Sequence, residues 1–173
     1  VLIGANDVVD LFENVYLLSP TPETANAVVA ELSARATRVG QIVAQITANN
    51  GPAFIVSTAP QMELTPYARA QSLAHPNANV IGVLDQFSTA FNTALRTTIP
   101  NDGTRWGLVE LDSLLNAGAT NPGGYGLTNV VDAACTPATW GTPDCTTNSI
   151  HTRGPSIRMY ERCASSGVLA EFG

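Results

Sequence analysis

The sequence of 173 residues contains no lysine, and all eight of its basic residues are arginines. Charged residues make up only 13% of the chain, and the formal net charge is −6. A chain with so little positive charge has no basic stripe to neutralise phosphates, which argues against nucleic acid as a partner. Hydrophobic residues make up 45%, enough to form a packed core rather than a disordered chain.

Long hydrophobic runs are also missing, because no apolar stretch approaches the roughly 20 residues that span a bilayer. No charged or apolar leader precedes the first predicted strand, and the chain begins with Val1 rather than Met. We therefore expect a piece of a longer chain or a processed product. Its 173 residues suit one domain with a sizeable core.

Cysteine is scarce, with three residues in the chain. Cys135 and Cys145 lie in a loop rich in Gly, Pro and Thr, whereas Cys163 stands apart. A disulfide between the first two would stabilise the fold by about 3 kcal/mol in an oxidising compartment. The alternative is two unpaired loop thiols. The disulfide, the low charge and the polar surface favour a secreted or cell-surface bacterial protein.

Short apolar runs that are rich in β-branched residues predict three strands, over residues 1–4, 53–58 and 106–111. Helical segments separate them, and crossovers of this length join parallel strands. The sequence therefore predicts an α/β fold with a parallel sheet.

Apolar residues at helical spacing predict helices over residues 7–18 and 80–99, and a longer helix between them. Thr21 is its expected N-cap, Pro22 its first residue, and Gly51 follows its end. Its predicted apolar stripe consists of Val28, Leu32, Ala36, Val39, Ile42, Val43 and Ile46.

The remaining segments are predicted mainly as loops. Residues 59–79 are rich in Pro and Ala and include His75, which we interpret as a solvated loop residue. Asp112 is expected to cap a short helix around Leu114. The glycines after residue 121 are not interpreted as a phosphate-binding loop, because no Lys follows and no helix start is indicated.

The first predicted strand ends in Gly4-Ala5-Asn6-Asp7, which breaks into a turn at the carboxyl edge of the sheet. Ligands and catalytic groups collect at this edge in α/β domains. The amide of Asn6 is therefore a candidate donor to an oxyanion in acyl transfer. The alternative is an Asx-type turn, in which Asn6 satisfies only local backbone groups.

These residues resemble the Gly-x-Asn-Asp block of SGNH (GDSL-type) hydrolases. The later residues 121–130, with Cys135 and Cys145, look like a stretch of secreted and autotransporter-type members that precedes an Asp-x-x-His block. The resemblance spans roughly residues 1–149. It implies a flavodoxin-like three-layer α/β/α sandwich, lacking its first strands, in a partial hydrolase-like domain over residues 1–147. Residues 148–173 are predicted to be an irregular tail, and non-native coding sequence is one interpretation of it.

The resemblance implies an esterase or lipase that acts on a small ester or lipid, without metal or organic cofactor. Asn6 carries over as oxyanion donor, and Gly4 shapes its turn. No Gly-Asp-Ser nucleophile motif precedes Gly4, and Asn148 stands where the Asp before His151 would be. His151 is nevertheless the candidate base. The alternative function is a noncatalytic passenger or interaction domain, or an inert fragment that has lost the catalytic triad.

A missing first strand would turn residues 1–4 into a sheet edge. An uncharged edge with an unpaired backbone ladder is a template for pairing with another chain. We therefore expect the chain to fold poorly by itself or to self-associate through Val1–Gly4.

Overall fold

The computed structural model describes residues 1–99, 105–127 and 130–131. These ranges form a mixed α/β structure that is mostly helical and contains a small parallel sheet. The helices are α1 (Ala5–Leu11), α2 (Pro22–Ala48), α3 (Pro66–Ala74), α4 (Val80–Thr98) and α5 (Leu111–Thr120). The strands are β1 (Phe54–Ser57) and β2 (Trp106–Val109). A π-helical segment (Phe12–Tyr16) and two 3₁₀ segments (Met62–Leu64 and Pro122–Tyr125) complete the described elements.

The two strands pair in parallel, with Ser57 opposite Val109 at their carboxyl ends. On the other side of β1, Leu2 forms an isolated parallel bridge to Ser57. The parallel arrangement predicted from the sequence is therefore confirmed. The first predicted strand is present as a single bridge, because the chain enters α1 at Ala5, directly after Gly4.

The sheet packs its two faces very differently. Val56 is 1% exposed and belongs to the core that α2 and α4 form, against which Trp106 and Leu108 also pack. On the opposite face, Ile55 is 67% exposed and Val109 is 46% exposed. Within the described ranges, the strands therefore bury one face well and the other poorly.

The long helix α2 begins as predicted, since the Thr21 side chain accepts a hydrogen bond from the Thr24 N–H at 3.2 Å. Its buried face consists of Ala25, Val28, Leu32, Ala36, Gly40, Val43 and Thr47. The predicted stripe is wrong at Ile42 and Ile46, which are 46% and 37% exposed. Each of them precedes a buried residue, and one step along a helix rotates a side chain by about 100°.

Residues 59–79, predicted as a loop, contain the helix α3. The Thr65 side chain accepts a hydrogen bond from the Ala68 N–H at 3.2 Å, and Pro66 is the first helical residue. This is the same Thr-Pro start that α2 uses. The loop prediction failed because α3 has a weak apolar pattern, and Ala68 is its one fully buried residue.

The predicted cap of α5 is also wrong. Glu110 occupies the N-cap position, and Asp112 lies inside the first turn and is 8% exposed. The Asp112 carboxylate instead accepts hydrogen bonds from Thr58, which directly follows β1, and from Arg96 of α4.

Arg105 connects the start of β2 to the end of α2. Its guanidinium donates to the Thr47 carbonyl at 3.1 Å and to the Gly51 carbonyl at 2.9 Å. Carbonyls at a helix C-terminus have no partner within the helix, and a cationic side chain there satisfies them favourably. Arg105 therefore ties two segments that are far apart in sequence.

Several sequence predictions lie outside the described residues. They concern the Cys135–Cys145 disulfide, Cys163, His151 and the tail over residues 148–173. In the part of the chain that is described, no helix combines the length and apolar character needed to cross a membrane.

Candidate functional site

Gly4 forms the turn between the Leu2 bridge and α1. Its φ is +109°, a conformation that residues with a side chain rarely adopt. A Cβ at this position would lie 2.5 Å from Cε1 of Phe91 and 2.8 Å from Cβ of Ala59. Glycine is therefore required here both by its backbone angle and by the close approach of α4 and the segment after β1.

Asn6 follows this turn in the first turn of α1, and its side chain is partly buried. Since α1 starts where the Leu2 segment leaves β1, Asn6 lies near the carboxyl edge of the sheet. Its side chain makes no hydrogen bond within the described part of the chain. An Asx-type turn would need such a bond, so the described contacts do not support that alternative.

Asp7, the last residue of the motif, anchors α1 to α2. Its carboxylate accepts a hydrogen bond from Arg35 at 3.1 Å. The same guanidinium pairs with Glu31 at 2.9 Å and with Asp10 at 3.4 Å. Hydrogen bonding to Glu31, helped by Asp7 and Asp10, raises the pKa of Arg35. These groups are partly solvated, so their role is to orient α1 more than to stabilise it.

A buried polar network closes the carboxyl edge of β1 and β2. The Thr58 hydroxyl donates to Asp112 Oδ1 at 2.8 Å and accepts from the Asp112 N–H at 3.2 Å. The Asn92 amide donates to the Ala59 carbonyl at 2.9 Å and to Asp112 Oδ2 at 3.3 Å. In return, the Ala59 N–H donates to Asn92 Oδ1 at 2.7 Å. The network joins the ends of both strands to α4.

Arg96 supplies the positive charge of this network. Its Nη2 donates to Asp112 Oδ1 at 2.8 Å and to Oδ2 at 2.6 Å, and its Nε donates to Glu110 at 3.1 Å. Burial acts to raise the pKa of Asp112, but the hydrogen bonds from Arg96 and Thr58 outweigh it, so the pKa is lowered. Asp112 is therefore held as a carboxylate.

A second acidic group lies close by, in the 3₁₀ segment that packs on α4. Glu63 has a buried Oε2, and Gln61 has a buried Oε1; neither atom has a hydrogen-bond partner among the described residues. Burial raises the pKa of Glu63 to about 7, and the charges of Asp85 and Asp112 act in the same direction.

The structure places the sequence-predicted residues as follows. Gly4 and Asn6 lie at the carboxyl edge, whereas His151 is outside the described residues. His75 forms the exposed C-terminal end of α3. Ser57 shares the poorly buried sheet face with Ile55, and its Oγ donates to the Val1 carbonyl at 3.5 Å. No cluster of metal-ligating side chains occurs in the described ranges.

Two buried residues of the site, Asn92 and Asp112, were not predicted from the sequence. One signal was present, because Ser88 and Asn92 interrupt the apolar stripe of α4 at a spacing of four residues. A polar residue on a buried stripe must find a partner, which makes it a candidate for a specific contact. Its partners lie 20 and 33 residues away, and the pattern of α4 alone does not identify them.

Comparisons of the chain with family models, curated proteins and solved structures gave no match. The observations that bear on function are therefore the side chains at the carboxyl edge and the Gly-x-Asn-Asp motif at residues 4–7.

Proposed function

We propose that this chain carries the oxyanion-hole region of a carboxylic-ester hydrolase of SGNH type, with the Asn6 amide as a donor. One observation supports this most directly. The Asn6 amide makes no hydrogen bond within the described part of the chain, and it directly follows a glycine turn at the carboxyl edge of a parallel sheet. This is the edge where α/β domains bind ligands.

The chemistry follows from the charge that develops during ester hydrolysis. When a serine attacks the ester carbonyl, the carbonyl oxygen becomes negatively charged, and an amide N–H held in place stabilises it. Removal of one such donor costs about 3–4 kcal/mol in the transition state. The proposal assigns this role to Asn6, and it assigns to Gly4 the turn that presents Asn6.

The nucleophile and base are proposed by resemblance alone. The serine would belong to a Gly-Asp-Ser motif outside this sequence, and His151 is the candidate base. The proposed substrate is a small ester or lipid, and the reaction needs no metal or organic cofactor. Secretion or display at the cell surface is proposed with it.

The finer fold is part of the same proposal. We propose a flavodoxin-like three-layer sandwich in which further strands pair beside Leu2 and a second helical layer covers the face with Ile55 and Val109. The high exposure of these two side chains supports this. Residues 1–147 would then be part of the hydrolase domain, and residues 148–173 a separate tail.

The same exposed face also favours the alternative function, an interaction domain without catalysis. An apolar sheet face beside a short edge segment can pair with a second copy of the chain. In this alternative, Val1–Gly4 is the association edge and the chain is inactive towards esters.

Hydrolysis of p-nitrophenyl butyrate tests the proposed function. The proposed serine lies outside this sequence, but an oxyanion hole without its triad still speeds hydrolysis by roughly 10³–10⁴-fold over water. We therefore expect weak activity, and we expect it to fall by about 100- to 1,000-fold in Asn6→Ala, in line with the loss of one oxyanion donor. The matched control is Asn14→Ala, which removes an exposed asparagine that bonds to Asp10 on the same helical segment. Equal rates in all three proteins would contradict the role of Asn6 and favour the interaction domain. If the wild type is robustly active instead, labelling with a fluorophosphonate identifies the serine.

A further inference from the structure

Asn92 occupies an unusual place for an amide side chain. It is 2% exposed and lies on α4 beside Phe91 and one turn before Leu95, both fully buried. Burying an amide without hydrogen bonds is costly, so the position is tolerated only because the side chain is well paired. Its partners are the backbone N–H and carbonyl of Ala59 and the carboxylate of Asp112.

These partners permit a single orientation of the amide. Oδ1 must face the Ala59 N–H at 2.7 Å, while Nδ2 faces two acceptors, the Ala59 carbonyl at 2.9 Å and Asp112 at 3.3 Å. A flipped amide would bring donor against donor and acceptor against acceptor. Asp112 thus fixes Asn92, and Asn92 holds both polar atoms of residue 59.

Ala59 also packs against Gly4. A Cβ on Gly4 would lie 2.8 Å from Cβ of Ala59 and 2.5 Å from the ring of Phe91. Two consecutive residues of α4 therefore define the pocket of the Gly4 turn. Phe91 contacts it directly, and Asn92 acts through Ala59.

We propose that Asn92 is a positioning residue for the site: by clamping Ala59, it fixes the Gly4 turn and with it the direction of the Asn6 amide. This inference rests on the proposed oxyanion role of Asn6. A donor contributes to catalysis only if it is already aimed at the developing charge, so a loosened turn lowers kcat while substrate binding is retained.

Hydrogen exchange tests the positioning role without any need for activity. The Val8 N–H donates to the Gly4 carbonyl at 3.0 Å and therefore reports on the turn. In Asn92→Ala, we expect Val8 exchange to become about tenfold faster relative to amides inside α2. The matched control is Ser88→Ala. Ser88 is also buried on α4 and accepts from the Met62 N–H at 3.2 Å, but it makes no bond to Ala59.

The control should leave the relative exchange of Val8 within about twofold of wild type. Unchanged exchange in Asn92→Ala, or an equal change in Ser88→Ala, would overturn the inference. If Asn92→Ala does not fold, Asn92→Ser takes its place with the same expectation, because a serine is too short to bridge both atoms of Ala59.

Kinetics with p-nitrophenyl butyrate separate this inference from the function on which it rests. We expect Asn92→Ala to lower the Asn6-dependent kcat about tenfold with KM unchanged, because only the transition state uses the donor. Suppose that Asn6→Ala has no effect on hydrolysis while Asn92→Ala still speeds Val8 exchange. The proposed function is then wrong, but the role of Asn92 in holding Ala59 and the Gly4 turn is confirmed. Suppose instead that Asn6→Ala abolishes hydrolysis while Asn92→Ala changes neither kcat nor Val8 exchange. The positioning role of Asn92 is then wrong, and the proposed function is supported.

Discussion

The two faces of β1 differ sharply in burial. Val56 is 1% exposed, whereas the adjacent Ile55 is 67% exposed. Both are β-branched aliphatic residues, as expected of a parallel strand buried on both faces. The strand sequence is therefore that of a two-sided interior position, whereas the described residues bury it on one side. In the proposed three-layer sandwich, the exposed face is the one that a second helical layer would cover.

The largest effect on stability is expected from a substitution of Val56, the buried member of the pair Val56 and Ile55. Val56→Ala should lower the free energy of unfolding by about 2 kcal/mol, because it removes fully buried apolar surface. Ile55→Ala should change it by less than about 0.5 kcal/mol, since that side chain is largely solvated. Urea denaturation of the two variants measures both. Equal losses would mean that the Ile55 face is covered in solution.

A second effect, dependent on pH, is expected from Glu63, which lies in the 3₁₀ segment that packs on α4. Burial raises the pKa of Glu63 from 4.5 to about 7. Between these values the folded state binds more protons than the unfolded state, so the free energy of unfolding falls as pH rises through this window and levels off above it. Glu63→Gln should flatten this dependence. Thermal melts of both proteins from pH 4 to pH 8 are the measurement, and parallel curves would contradict the prediction.

The smallest change in stability is expected from substitutions on the exposed face of the sheet. These should instead affect the association of the chain with a second copy of itself. The double variant Ile55→Lys/Val109→Lys places charge on both exposed side chains and should alter the free energy of unfolding by less than about 0.5 kcal/mol. If the chain self-associates through this side of the sheet, the charges should shift it to monomer in size-exclusion chromatography. A wild type that is already a stable monomer would count against self-association.

The elements with strong periodic patterns were predictable from the sequence. The two longest helices and the two paired strands follow from apolar spacing, and the start of α2 follows from its Thr-Pro cap. The prediction failed where the pattern was weak or the burial depended on neighbours. The helix α3 has a good cap but few apolar residues, and Ile42 is exposed because the buried face of α2 passes through Val43.

The site was predictable only in part. The position of Gly4 and Asn6 at the carboxyl edge follows from a strand that ends in a glycine turn. The contacts that hold this turn do not, since they join residues that are distant in sequence. Thr58 meets Asp112 across 54 residues, and Ala59 meets Asn92 across 33. Such pairs arise from the packing of α4 against the strand ends, and a one-dimensional pattern does not contain that information.

The bonds from Arg105 to the carbonyls of Thr47 and Gly51 have a consequence for how the protein opens. If β2 detached from the sheet, Arg105 would move with it. The Thr47 carbonyl in the last turn of α2 and the Gly51 carbonyl just beyond the helix would then both lose this donor. Fraying of that turn and release of the strand are therefore thermodynamically linked, and a tryptophan signal from Trp106 should report both as one cooperative event.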